Sequence, residues 1–182
     1  MREATGRALR TGLCIWLLGA SGTASATQSA ALEDEIKATF LYKFAPFVAW
    51  PPSVFQEPTA PIVICMANDD PVSATVEQAA SGQIVDGHPI VVRHITDRAQ
   101  ENLCQILYVG GGDIATALDA VRGAPVLTVT DAPPESARRG VINFVIRKNH
   151  VRFEIDESLA EQDGLTISSK LLSLATSTKP KS

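Results

Sequence analysis

Gly110-Gly111-Gly112-Asp113 is the stretch best suited to holding an anion, because glycines leave backbone amides unobstructed and Asp113 can open a helix. It lacks both the Gly-x-Gly-x-x-Gly spacing of a dinucleotide loop and the Lys-Ser/Thr of a phosphate loop. A tight strand-to-helix turn capped by Asp113 is therefore the plainer reading. His88, His94 and His150 are far apart, and none stands beside a nucleophile in a recognisable local motif. Ser168 and Ser169 precede Lys170, and a lysine of lowered pKa could take a hydroxyl proton. The order is wrong for Ser-x-x-Lys, however, and serines near a helix start more often cap it. No Cys-x-x-Cys, His-Glu-x-x-His or clustered Cys/His spacing is present, so neither a metal nor any other cofactor is expected.

The chain begins with Arg2, Arg7 and Arg10, then an apolar run from Gly12 to Leu18, then small residues ending Ala24-Ser25-Ala26. That order is the order of a secretory leader, predicted here to span residues 1–26 with cleavage between Ala26 and Thr27. The alternative is an uncleaved anchor, but the run is only about half the ~20 residues a membrane span needs. Cys14 follows Leu13 inside the run, which does not suit a lipoprotein. Removing the leader leaves a chain of single-domain length, read as one domain over 27–175 with a loose tail over 176–182. A net charge of −4, with no basic run, argues against nucleic acid and against a phospholipid-binding face. Export leaves Cys65 and Cys104 in an oxidising compartment, where a disulfide between them is a natural expectation. Parallel neighbouring strands in simple register would instead offset them by about three residues, roughly 10 Å, leaving two buried thiols.

These residues must be positioned by an alternation of helices and strands. Ile36, Phe40, Leu41, Phe44, Phe47 and Val48 trace one face of a helix that Pro46 should kink or end near Ala45. Ile62–Met66, Ile90–Ile95, Cys104–Val109 and Val126–Thr130 read as buried strands. Between them, Asp70-Pro71 opens a helix that stops before Gly82, and Asp113 opens another that Gly123 ends. The expected fold is therefore α/β, with a mainly parallel central sheet flanked by helices in a three-layer, Rossmann-like sandwich. Val141–Arg147 and Val151–Ile155 add a C-terminal antiparallel hairpin, and a last helix is expected from about Leu165 to Ala175. Within the hairpin Arg152 and Glu154 share one strand face. They make either a solvated charged pair or a recognition site that Lys170 could join.

Phe40-Leu41-Tyr42 to Trp50-Pro51, Val126-Leu127-Thr128-Val129 with Asp131, Gly140-Val141-Ile142-Asn143-Phe144, Val151 to Ile155 and Gly164 to Leu172 occur in that order across nearly the whole exported chain. Together they resemble the YfiR family, from which the chain departs at Lys43, usually Asn, and at Pro46. The resemblance implies a periplasmic regulator with an α/β sandwich fold and a tendency to form homodimers. Such a regulator restrains an inner-membrane diguanylate cyclase by binding its periplasmic sensor portion. Loss of that restraint raises cyclic di-GMP and favours biofilm. It is not an enzyme and needs a binding surface rather than a catalytic group. Arg152, Glu154, Ser168, Ser169 and Lys170 are the candidates for that surface. The alternative is a periplasmic small-molecule binder serving a transporter or sensor kinase, with its crevice at the strand carboxyl ends around Gly110 to Asp113.

Overall fold

A computed structural model describes residues 23–180 apart from Asp69, 97–102 and Pro134. The leader expected over 1–26 thus lies mainly outside the described residues, and the Ala26–Thr27 junction falls within the first helix, α1 (Thr23–Phe44). Helix α1 stops one residue before the position set by Pro46, and Ala45–Phe47 tighten into a 3-10 turn. Beyond it, β1 (Val48–Ala49) precedes the first long strand, β2 (Ile62–Met66).

The chain then alternates through α2 (Pro71–Ala80), β3 (Ile84–Val85), β4 (His88–His94), β5 (Ile106–Val109), α3 (Ile114–Ala120), β6 (Leu127–Thr130), β7 (Ile142–Arg147) and β8 (His150–Asp156). It closes with α4 (Glu157–Gln162), β9 (Thr166–Ile167), α5 (Ser169–Leu174) and β10 (Ser177–Lys179). Eight strands form one sheet in the order β10-β8-β7-β6-β5-β2-β4-β3. The neighbours from β4 to β7 all pair in parallel, so the expected mainly parallel sheet is present. The C-terminal hairpin β7–β8 turns through Lys148 and Asn149, both left-handed, the geometry of a tight two-residue hairpin turn.

Alternation along each strand sends side chains to two separate cores. Ile62, Ile64, Met66, Ile106 and Tyr108 pack with Ala38, Leu41 and Phe44 of α1 and with Val72 and Val76 of α2. Val63, Cys65, Leu107 and Val109 pack on the opposite face with Ala117 and Val121 beside α3. Burial on both faces explains why these strands read as unbroken apolar runs. The first core reaches the hairpin through aromatic contacts. The Phe44 ring meets Phe153 edge-on at 5.2 Å, and Phe40 meets it at 5.5 Å.

Two expectations are corrected, two elements are new, and the expected disulfide is present. The tail over 176–182 is not loose throughout, because Ser177–Lys179 pair in parallel with Glu154–Asp156 and Lys179 reaches Asp156 at 2.9 Å. The helix expected over 165–175 is confined to Ser169–Leu174, because Thr166 and Ile167 pair with Ala49 and Val48 and Ser168 caps the helix that follows. Helix α4, started by Asp156 accepting from Leu159 N, and the short strand β3 were not anticipated. The cysteines are bonded, with their Cα atoms 5.8 Å apart. The simple-register offset fails because β5 begins only at Ile106, so Cys104 is not held in the ladder and reaches Cys65 within the α3-side core.

Candidate functional site

The parallel strands change order between β2 and β5, where the chain adds β4 on one side of β2 and β5 on the other. A crevice at the carboxyl ends of such strands is a common ligand position. Here Asn68 donates from its amide to Gly111 O, and Asp70 caps α2 by accepting from Ser73 N at 3.1 Å. The other Asp70 oxygen, Oδ2, is buried with no hydrogen-bond partner among the described residues. It lies over Gly110, where a Cβ would stand 2.0 Å from it and 2.6 Å from the Tyr108 hydroxyl. Glycine is thus required by close approach. Asp113 accepts from Thr116 N and caps α3, so Gly110 to Asp113 form the capped turn.

Charge at this end is set by α1 and by the residue following β6. Lys37, almost fully buried, reaches Asp131 at 2.5 Å, and Asp34 lies nearby. Burial, with Asp131 adding like charge, raises the Asp70 carboxyl above its ordinary value. Burial likewise raises Asp34, although Lys37 opposes the shift. The Tyr108 hydroxyl is pushed upward by burial and then by Asp70, Asp131 and Asp34. Three carboxylates against one lysine oppose an anion here, and the arrangement suits an amine or another cation instead.

The hairpin carries a second charged region. Arg152 is exposed on β8, and Glu154 lies on the same face, but the two are not paired with each other. Glu154 accepts from Arg139 at 2.8 Å and from Arg147 at 3.2 Å. The charged pair expected between Arg152 and Glu154 is replaced by a bridge to the preceding loop, which approaches over that face. Arg139, Asn143, Glu154 and Asp156 line a 350 Å³ cavity whose outer wall is Ser177–Lys179.

Ser168, Ser169 and Lys170 sit elsewhere. Ser168 caps α5 and donates its backbone N–H to Phe47 O, while Ser169 and Lys170 are exposed. Leu171 and Phe153 share the α1-side core, so α5 lies on the face opposite to Arg152. The five candidates therefore form two separate surfaces. Sequence reasoning missed Arg139, Arg147, Arg138 and Arg122. Spacing along the chain gives no sign that a loop arginine and a strand arginine converge on one carboxylate. Asn143 is also structural: it is buried, accepts from Thr130 and Ala132 N, and donates to Ala132 O and Phe144 O.

No described helix is long and apolar enough to cross a membrane. Among solved structures, a conserved domain protein from Vibrio cholerae O1 biovar El Tor superposes with a TM-score of 0.50 at 14% identity. The match covers 80% of this chain and 60% of that one, and it supports the fold alone. A search of curated proteins gives no match. The family profile described as YfiR/HmsC-like matches residues 34–176, from the middle of α1 to the residue before β10. On that match, the chain belongs to the YfiR/HmsC-like family.

Proposed function

We propose that this protein is a periplasmic regulator that restrains an inner-membrane diguanylate cyclase by binding the cyclase's periplasmic sensor portion. The observation that carries this reading is the family match over 34–176, which spans both cores and the hairpin. A partner shifts a two-state equilibrium only by its differential affinity for the states, so the regulator must bind the inactive sensor conformation more tightly. After cleavage at Ala26–Thr27 the chain acts outside the cytoplasm, as a homodimer. Its influence on cyclic di-GMP passes through the spanning partner. Arg152 and Glu154 present one binding surface and Ser169 with Lys170 a second. Reduction of Cys65–Cys104 loosens the fold and weakens the restraint. Co-expression with a membrane diguanylate cyclase tests the proposal. Cyclic di-GMP should rise when this protein is deleted, and an unchanged level would overturn the reading.

A second reading is favoured by Asp70 Oδ2, buried beside Tyr108 and Gly110 with no hydrogen-bond partner among the described residues. In that reading the strand-end crevice takes a small cationic or amine-bearing metabolite, and the protein reports it to a transporter or sensor kinase. Thermal stabilisation by amino acids or polyamines that disappears in Asp70→Asn supports it. Uniform melting across such a panel counts against it.

A further inference from the structure

The hairpin face carrying Arg152 holds more cations than anions to match them. Arg122 follows α3, Arg138 and Arg139 lie in the loop before β7, Arg147 ends β7, and Arg152 stands on β8. Arg122 and Arg138 both reach the Asp119 carboxylate, while Arg139 and Arg147 both reach Glu154. Two carboxylates thus serve four guanidiniums. Arg152 is on the same strand face as Glu154 and has no ion-pair partner among the described residues. Five of the chain's sixteen lysines and arginines gather here, although its net charge is −4. The band is therefore a local concentration rather than general basicity.

Two neighbouring acids are held by other partners as well. Asp156 is engaged by Lys179, Ser158 and Leu159 N. Asp163 accepts from Gly123 N, and burial raises its carboxyl above the ordinary value while that bond and the nearby Arg122 oppose the shift. The band runs between the 350 Å³ cavity beside β10 and a 120 Å³ cavity under α3, and Ala137 and Arg139 line both. Arginine presents a planar fork of five donors, and the pairs with Asp119 and Glu154 leave forks on Arg122, Arg138 and Arg147 with N–H groups to spare. A small anion needs donors converging on one point. These guanidiniums are instead strung from the end of α3, along a loop, to the hairpin.

We propose that this arginine band docks an acidic, extended segment of a partner protein, whose successive carboxylates take the forks that Asp119 and Glu154 share. The inference deepens the regulator reading and rests on it for the partner being a protein. It is tested on the whole exported chain with a labelled Asp/Glu-rich peptide, read by fluorescence anisotropy at low and physiological salt. Binding should weaken with salt, since exposed charges are screened beyond a Debye length of roughly 10 Å at 0.1 M. The double variant Arg147→Glu/Arg152→Glu should lose roughly tenfold or more in affinity. Lys43→Glu, exposed on α1 on the opposite face of the sheet, should leave affinity within about twofold. Should the double variant fail to fold, Arg152→Gln replaces it, with a several-fold loss expected. Unchanged binding in the arginine variants, an equal loss in Lys43→Glu, or displacement of the peptide by inorganic phosphate or citrate at lower concentrations than the peptide itself would overturn the proposal. The cyclase co-expression assay separates the two readings. Full repression by the double variant overturns the band as the docking surface and leaves the regulator standing, whereas absent repression by the unaltered chain overturns the regulator reading alone.

Discussion

Gly110 illustrates how a residue can be noticed in sequence for one reason and required in structure for another. In sequence it is one of three glycines with free amides, while in the fold the Asp70 carboxylate occupies the space of its missing side chain. Gly110→Ala should destabilise the protein by about 1–3 kcal/mol, since an added methyl must displace a buried carboxylate oxygen. Chemical denaturation would show this as a lower midpoint at unchanged slope, and an unchanged midpoint would mean that Asp70 moves freely. Glu154 shows the converse. Its place on β8 is readable from strict alternation, but its partners Arg139 and Arg147 lie 15 and 7 residues away. Only the approach of the preceding loop brings Arg139 within reach. Local spacing fixes which way a side chain faces, and long-range packing decides what it meets.

At the scale of elements, legibility follows the strength of local signals. Pro46, Asp70-Pro71 and Asp113 mark boundaries where a ring lacks a donor or a carboxylate meets free amides, and each boundary falls within a residue or two of its expected place. The region after Asp156 was harder because its pieces are only two to six residues long, and β10 is a polar Ser-Thr-Lys stretch whose pairing comes from its neighbour. Asp156 joins these pieces by capping α4 and holding Lys179. Burial opposes its ionisation, but hydrogen bonds from Ser158, Lys179 and Leu159 N outweigh that and hold its carboxyl below the ordinary value. A depressed folded-state pKa adds stability that is fully present above the unfolded value, near pH 4, and is lost as pH falls through the folded value. Hydrogen exchange at α4 and β10 should therefore accelerate below about pH 4. Asp156→Asn should flatten that dependence, and an unaltered profile in the variant would show that another group is responsible.

At the scale of the molecule, the Cys65–Cys104 bond closes a 39-residue span containing α2, β3 and β4, and joins neighbouring strands β2 and β5 through the loop leading into β5. On the chain-entropy account, closing a loop of that length is worth about 4 kcal/mol. Cys104→Ser should therefore lower the denaturation midpoint to that of the reduced parent chain, and reductant should have no further effect on the variant. Parallel strands in the middle of the sheet were legible because burial on both faces writes itself into composition; the sheet's two ends were not. Those ends share a form. One is the two-residue strand β3, and the other is the exposed three-residue β10. Short margins offer little unpaired backbone on which another chain could grow, so they guard against fibre formation at high local concentration. Behind β10 lies β8, seven residues long with an apolar face. Deleting residues 177–182 would extend its open edge through Glu154–Asp156, and light scattering should then show concentration-dependent polymers where the intact chain stays dispersed. Three polar residues at the end of the chain would thus decide whether its sheet stops or continues into the next molecule.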